Sequence, residues 1–390
     1  MIKRKGEETS SSDHPDADEA AAKTAIYLVL EHAVEDSAYS VFRVDAAGSR
    51  RARHLVRIPA SQHGMSFAAV HSKRGGSWIV GVGGDTTVFY DPTQEDRQFQ
   101  QGLRPVSAKR DPVLISHGRK LFSISRRYKV DPDAGYEPWF EYLSLGEDGP
   151  GSAFWLDLLP PPFPPFVLTP RQYLDPPEIR VLAYAAVGAY ILLSLEPGGT
   201  FAFHVRKYTW AKVDDKSLPF VGDAVHLGEN YFASRSKARS GATAVFYLEV
   251  YDATRSKPAR LYVLECSVAS QDRIPGGGQQ LLCPLGQGGS FCSVDLMPST
   301  HSSRKPLKTA QVAVTACQMN MKEDSTGELQ LLVNDEQRQI CRLSDRTRFV
   351  ASPMPLVAVL SMDRRKNEEK SRKKRAAPHI FGAPIFTVET

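Results

Sequence analysis

The sequence predicts an all-β protein, specifically a kelch-like β-propeller of six four-stranded blades. Three observations support this fold class. Short apolar runs rich in Val, Ile, Tyr and Phe recur along the chain, turn residues separate them, and sustained helical amphipathicity is hard to find. The composition agrees, because 28 glycines and 27 prolines in 390 residues supply many turns. More than ten short strands with regular turns are typical of a sandwich, barrel or propeller.

The spacing of the strands favours the propeller over the other two architectures. Groups of four strands recur about every 40–50 residues, which is the period expected of propeller blades. Five such groups follow one another along the chain, and they cover residues 67–103, 112–158, 180–213, 222–266 and 291–343.

The two ends of the chain are expected to supply the sixth blade. Strands within 25–58 and the run VAVLSM at 357–362 belong to no other group. Joining them closes the ring and removes free sheet edges. Seven blades remain an alternative, because the fifth group is irregular. The predicted organisation is a disordered tail over 1–23, the propeller over 24–362 and a basic tail over 363–390.

Several residues recur at equivalent positions within the predicted blades. A double glycine lies between a second and a third strand, where a tight turn needs positive φ. Tyr-Asp pairs end third strands, where the aspartate can start a turn. Tryptophans lie in fourth strands, where a large ring can pack between blades. The residues at these kelch-like positions are Gly83, Gly84, Tyr90, Asp91, Trp155, Trp210, Tyr251 and Asp252.

These positions resemble those of kelch-type propellers, although the match is degenerate. Five longer segments carry a closer resemblance, and they are YLVLE…YSVFRVD (27–45), VFYDPT (88–93), AFWLDLLPPPFPPF (153–166), GTFAFHVRKYTWAK (199–212) and LPFVGDAVHLGENYFA (218–233). Over about residues 24–360 the chain is similar to a plant family, expanded in grasses, that is grouped under domain of unknown function 1668. The resemblance implies a kelch-like fold and plant origin, and it implies no activity.

The basic charge of the protein is concentrated after the last predicted strand. The formal net charge is +5, and residues 364–375 alone contribute more than this, which leaves the remainder slightly negative. This near-neutral remainder argues against nucleic-acid binding by the propeller, since nucleic-acid-binding surfaces need clustered cations. The basic residues form a candidate nuclear-import signal, or merely a solvated charge run, and they are Arg364, Arg365, Lys366, Lys370, Arg372, Lys373, Lys374 and Arg375.

The cysteines and the N-terminus favour an intracellular protein, in the nucleus or the cytoplasm. Five cysteines is an odd number and none forms a CxxC pair, so we expect buried free thiols. The first 23 residues lack the apolar core of a secretory signal. The apolar run 181–195 is shorter than a membrane span, and two strands turning at Gly188 are expected there instead.

No motif for cofactor binding or catalysis stands out, so we predict no cofactor, no metal and no enzymatic activity. The glycine-rich run GVGGD at 81–85 lacks GxGxxG spacing and is interpreted as a turn. Six residues are weighed as ligands that converge on a central channel, with ordinary core, turn or cap roles preferred. They are His117, His204, His226, Asp157, Asp223 and Asp295.

The function that the sequence favours is a non-enzymatic protein-interaction module with an unknown partner on a propeller face. The alternatives are a propeller enzyme with a metal in its channel, and a nuclear protein that contacts nucleic acid through its tail. An import receptor is the expected partner of the basic tail. The PPPFPPF run at 160–166 is interpreted as an inter-blade connection, with a ligand for an aromatic groove as the alternative.

Overall fold

The fold was obtained as a computed structural model. It describes residues 24–32, 38–45, 52–59, 64–72, 76–94, 99–109, 111–128, 140–147, 149–159, 161–162, 170–171, 179–254, 256, 258–268, 280–286, 288–297, 310–323, 329–343 and 356–363.

The first half of the described chain forms three four-stranded antiparallel sheets, here called blades 1 to 3. The N-terminal strands of blade 1 are β1 (Thr24–His32), β2 (Ala38–Asp45) and β3 (Arg53–Pro59). The strands of blade 2 are β4 (Ser66–Ser72), β5 (Gly76–Gly83), β6 (Thr86–Tyr90) and β7 (Gln100–Gln101). The strands of blade 3 are β8 (Pro112–His117), β9 (Lys120–Ser125), β11 (Glu141–Gly146) and β12 (Gly149–Asp157), and the short β10 (Arg127–Tyr128) follows β9.

The second half forms three further groups of four strands, blades 4 to 6, and the last strand of the chain. The strands of blade 4 are β13 (Ile179–Val187), β14 (Tyr190–Glu196), β15 (Gly199–His204) and β16 (Thr209–Asp214). The strands of blade 5 are β17 (Phe220–Gly228), β18 (Tyr231–Ser236), β19 (Thr243–Tyr251) and β20 (Arg260–Val268). The strands of blade 6 are β21 (Gln280–Pro284), β22 (Ser290–Leu296), β23 (Ala310–Glu323) and β24 (Leu329–Leu343), and β25 (Leu356–Asp363) ends the described chain.

The two ends of the chain meet in blade 1. Strand β25 pairs antiparallel with β1, with Ala25 opposite Met362 and Tyr27 opposite Leu360, so the order in this sheet is β25-β1-β2-β3. This pairing confirms the predicted closing blade. It removes the open edge that β1 would otherwise present.

The first strands of the six blades form a closed ring. Contacts join β25 to β4, β4 to β8, β8 to β13, β13 to β17, β17 to β21 and β21 back to β25. Strands β13 and β17 also pair in parallel, which joins blades 4 and 5 into one hydrogen-bonded sheet. The result is an all-β, six-bladed, propeller-like architecture, and it confirms the predicted all-β, propeller-like fold.

Blade 6 differs from the sequence-based prediction in two ways. It begins at Gln280 rather than at residue 291, and residues 291–343 form three strands rather than four, because Leu329–Leu343 is one continuous strand, β24. The first strand was missed because it has only five residues beside a glycine-rich stretch. The polar run DEQ at 335–337 lies within β24 and continues the long β23–β24 ladder.

The hydrophobic core lies between the faces of neighbouring blades. Between blades 3 and 4, the Phe140 ring lies 4.9 Å from Phe203 and 5.0 Å from Trp210. Every second residue of β13 is buried, because successive side chains of a strand point to opposite faces. Within the described ranges, no helix is long and apolar enough to cross a membrane. The run at 181–195 forms β13 and β14, and Gly188 turns between them with φ of 56°.

Candidate functional site

The ring of first strands encloses a central cavity of about 800 Å³. All six blades contribute to its wall, because each places one strand of the ring against it. Charged and aromatic side chains from four blades line one rim of this channel. We call this rim the polar end, and its residues are Glu31, Asp111, Arg126, Tyr184 and Asp223.

Glu31 ties blade 1 to the beginning of blade 2. Its Oε1 accepts hydrogen bonds from the Tyr39 hydroxyl at 2.9 Å and from the Gly64 backbone N–H at 3.1 Å. The Tyr39 hydroxyl in turn accepts a bond from the Met65 N–H at 2.9 Å. Burial raises the pKa of the Tyr39 hydroxyl well above its usual range, so it remains a donor to this carboxylate.

Arg126 links blade 3 to blade 4. Its Nε lies 3.2 Å from Asp111 Oδ2, and its guanidinium carbon lies 5.9 Å from the centre of the Tyr184 ring. Burial, followed by the charge of Asp223, raises the pKa of the Tyr184 hydroxyl to about 12. Tyr184 is therefore a neutral hydroxyl at physiological pH, and it can donate a hydrogen bond.

Asp223 is an acid of the polar end for which the described part of the chain supplies no ion pair. It lies opposite Tyr184 in the parallel pairing of β13 and β17. Burial raises the pKa of its carboxyl to about 7, against the opposing effects of the Ala224 N–H and the Arg126 charge. The residue is nevertheless exposed to the open channel, where water offsets part of this shift. No lysine or arginine within the described segments lies at ion-pair distance from it.

Sequence reasoning found Asp223 but missed the other residues of the polar end. Asp111 comes directly before β8, and Arg126 comes directly after β9. Both positions are strand ends at the same rim, since a hairpin returns its second strand to the end where its first strand began. A search for charged residues at the two outer ends of the first two strands of each predicted blade would have identified Asp111 and Arg126.

The three histidines weighed as channel ligands do not converge. His117 Nε2 lies 2.8 Å from the Gly188 carbonyl, and His226 Nε2 lies 2.8 Å from the Glu229 carbonyl. His204 ends β15, where its Nδ1 accepts hydrogen bonds from two backbone N–H groups of the following turn. In the described part of the chain, no group of three or more His, Cys, Asp or Glu side chains is arranged to hold a metal ion.

The three carboxylates weighed with them are likewise separated. Asp157 ends the outer strand β12, where burial and then the charge of Glu141 raise its pKa. Asp295 lies in β22, and burial raises its pKa as well. Of these three carboxylates, only Asp223 lines the channel. The turn or cap role preferred for it is wrong, since it lies within β17 and faces the lumen.

The structure places the double glycine between the second and third strands of blade 2. Gly84 has φ of 56°, and its backbone pairs with Lys109. Gly83 is needed for close approach, because a Cβ there would lie 2.8 Å from the Met65 Cα. Asp91 follows β6 and accepts hydrogen bonds from the Thr93 N–H at 2.9 Å and the Thr93 hydroxyl at 2.6 Å, which starts a turn. Tyr90 is buried.

The two tryptophans lie in outer strands and bridge neighbouring blades. Trp155 Nε1 donates to Thr87 Oγ1 of blade 2 at 3.1 Å, and Trp210 Nε1 donates to the Leu159 carbonyl at 3.4 Å. The second Tyr-Asp pair differs from the first. Tyr251 is half exposed at the end of β19, and Asp252 forms a surface ion pair with a lysine of blade 4.

Three sequence features lie outside the described residues. They are the predicted disordered tail at 1–23, the candidate import signal at 364–375, and residues 160 and 163–166 of the PPPFPPF run.

Comparison with known proteins places the chain in a family without assigning an activity. No curated protein matched it. The family model described as "Protein of unknown function (DUF1668)" matches residues 23–340, which covers strands β1 to β23 and most of β24. The match includes every described residue of the polar end. The chain therefore belongs to the DUF1668 family of proteins of unknown function.

Proposed function

We propose that this protein is a non-enzymatic interaction module whose polar end docks a protein partner. The observation that carries the proposal is Asp223, a carboxyl that lines the open channel without an ion-pair partner in the described structure. An uncompensated acid in a partly desolvated site favours a ligand that brings a cation or a hydrogen-bond donor. A lysine, arginine or amide side chain of a partner has this chemistry.

The rigidity of the rim supports recognition rather than a mobile catalytic site. Glu31 and Tyr39 fix blade 1 against blade 2, and Arg126 fixes blade 3 against blade 4 through Asp111 and Tyr184. A preorganised site loses little conformational entropy on binding. Side chains held on strands by contacts between blades therefore suit the docking of a preformed partner surface.

The test compares partner capture by the full chain with capture by an Asp223→Arg variant. The added cation would repel a cationic group of a partner and would clash electrostatically with Arg126. The matched control is Asp252→Arg, because Asp252 is an exposed aspartate of the same blade that lies away from the channel. Circular dichroism melts show whether both variants remain folded.

We expect a partner that cross-links to the polar end of the wild-type chain and of the control, and not to Asp223→Arg. Cross-links that map elsewhere on the chain in all three proteins would refute docking at the polar end. Equal capture of the partner by the folded wild-type, Asp223→Arg and Asp252→Arg proteins would also refute docking at the polar end.

We also propose that the protein enters the nucleus through its basic tail, with an import receptor as the partner. The eight Lys/Arg residues within 364–375 support this, since import receptors bind clustered cations. A full-length fluorescent fusion with these eight residues changed to glutamine should lose nuclear accumulation. Unchanged nuclear accumulation would refute the proposal.

A further inference from the structure

A second surface on blade 5 carries an unusual concentration of tyrosines. We call it the tyrosine face, and its residues are Tyr231, Tyr247, Glu249, Tyr251, Tyr262 and Leu264. Successive side chains of a strand point to opposite faces, so Tyr247, Glu249 and Tyr251 of β19 share one face. In the strand pairing, Tyr247 lies opposite both Tyr231 and Leu264.

The tyrosines are held around one carboxylate. Glu249 Oε2 accepts hydrogen bonds from the Tyr251 hydroxyl at 2.7 Å and from the Tyr247 hydroxyl at 3.1 Å. The Tyr247 ring lies 5.5 Å from Tyr231 and 6.0 Å from Tyr262, with interplanar angles of 74° and 70°. Such edge-to-face packing fixes the orientation of the rings.

This face is open to solvent at its outer part. The exposed fractions are 51% for Tyr251, 47% for Tyr262 and 50% for Leu264. On the opposite face of β19, Phe246 and Leu248 are fully buried against blade 4. Strand β20 is the outermost strand of the sheet, so a peptide segment can reach the tyrosine face from the side. Exposed tyrosines of limited flexibility are typical of protein-recognition surfaces.

The charge on the tyrosine face is negative. Hydrogen bonding to Glu249 is the largest cause that raises the pKa of Tyr251. Burial, then the Cys266 thiol and Glu229, raise the pKa of Tyr231. The nearest basic residue by register is Arg260, opposite Tyr251, and among the described residues no lysine or arginine forms an ion pair with Glu249.

We propose that the tyrosine face binds a lysine or arginine side chain from a positively charged segment of a partner protein. The Glu249 carboxylate supplies the ion pair, and the Tyr247 and Tyr262 rings supply cation–π contacts. Charge complementarity selects this occupant, because an acidic segment would be repelled by Glu249 and a purely apolar one would leave its carboxylate desolvated. The site is separate from the polar end and does not depend on docking there.

The experiment measures binding of a fluorescein-labelled arginine–glycine peptide to the full-length protein by fluorescence anisotropy. A glutamate–glycine peptide of equal length is the ligand control. The variants are Glu249→Gln and Tyr262→Ala. The control for Glu249→Gln is Asp252→Asn, which changes a nearby carboxylate off the tyrosine face. The control for Tyr262→Ala is Leu156→Ala, which changes an exposed apolar residue on the outer strand of blade 3.

We expect Glu249→Gln to raise the dissociation constant of the arginine–glycine peptide about tenfold, since the substitution removes a charge-assisted contact. Tyr262→Ala should raise this dissociation constant about threefold, because it removes a cation–π contact. The two controls should bind as the wild-type chain does. Equal weakening by Asp252→Asn and Glu249→Gln would overturn the proposal, because it would show general attraction to negative charge.

The basic tail of the same chain is the competing occupant. A full-length variant with the eight Lys/Arg of 364–375 changed to glutamine separates the two. Unchanged affinity for the peptide supports a partner segment. A marked gain in affinity would overturn the proposal, because it would show that the tail already covers the tyrosine face.

Discussion

Lys109 Nζ lies 2.5 Å from Glu141 Oε1, and neither side chain is exposed to solvent. The same carboxylate accepts hydrogen bonds from the Ser107 hydroxyl at 2.6 Å and from the backbone N–H groups of Ser107 and Val106. Lys109 also pairs through its backbone with Gly84 of blade 2. The pair therefore fixes the connection between blades 2 and 3 to the beginning of β11.

Removing the cation from this pair should be strongly destabilising. In Lys109→Ala the Glu141 carboxylate stays buried without its counter-charge, and we expect a loss of about 3–5 kcal/mol in the free energy of unfolding. Urea denaturation measures it. The control is Arg104→Ala, which breaks the ion pair between Arg104 and Asp85. The side chains of this pair are 78% and 47% exposed. Its loss should therefore lower the free energy of unfolding by less than about 1 kcal/mol. Similar losses in both variants would contradict the assignment of a buried pair.

Gly83 gives a second stability prediction, based on space rather than charge. An alanine Cβ there would lie 2.5 Å from the Met65 Cγ and 2.8 Å from its Cα, so the backbone must shift. We expect Gly83→Ala to lower the free energy of unfolding by roughly 1–3 kcal/mol. Gly151→Ala is the matched control, because no atom lies within 4 Å of the added Cβ. Thermal melts that rank Gly151→Ala as the more harmful variant would refute this account.

The fold could be predicted from the sequence because its signals are local. Strand alternation, the four-strand period and the two unassigned terminal segments were enough to predict closure of the ring by β1 and β25. The first strand of blade 6 escaped detection because Gln280–Pro284 is short and follows a glycine-rich stretch. Strand β21 is held by its contacts with the ring strands β17 and β25, and its short local sequence pattern does not reveal those contacts.

The sites were less predictable because they depend on contacts distant in sequence. Lys109 and Glu141 are 32 residues apart and belong to no motif. Arg126 meets Tyr184 only because the ring sets β8 beside β13. The tyrosine face required the register of β19 against β20, and register is not readable from composition.

The five cysteines should differ sharply in reactivity. Cys266 is partly exposed on β20, whereas the other four are buried, with Cys283 Sγ 3.1 Å from Cys292 Sγ. Hydrogen bonding to Cys283, followed by burial, raises the pKa of the Cys292 thiol well above its usual range. The thiolate is the reactive form, so buried protonated thiols react slowly.

We expect iodoacetamide to alkylate Cys266 of the native protein first, with the other four cysteines modified roughly tenfold more slowly or less. Peptide mapping by mass spectrometry measures each rate. In denaturant all five should react alike, which serves as the control. Early native-state modification of Cys292 would contradict the buried pair.

Asp223 should make stability depend on pH in a direction opposite to that of most carboxylates. Burial raises its pKa in the folded protein to about 7, above the ordinary value of 3.8. Between these values the folded state binds more protons than the unfolded state, so the stability contributed by this group is present below the ordinary pKa. It is lost as the pH rises through the folded-state pKa.

Asp223→Asn should therefore be more stable than the wild-type chain at about pH 8 and equal to it at about pH 4. The gain should be at most about 1 kcal/mol, because water in the channel solvates the exposed carboxylate and offsets part of the burial effect. Urea denaturation across this pH range measures it, with Asp252→Asn as a control that should show no such trend. If Asp223→Asn were the less stable protein at pH 8, the Arg126 charge would outweigh burial, and Asp223 would be a paired anion rather than an acid awaiting a partner.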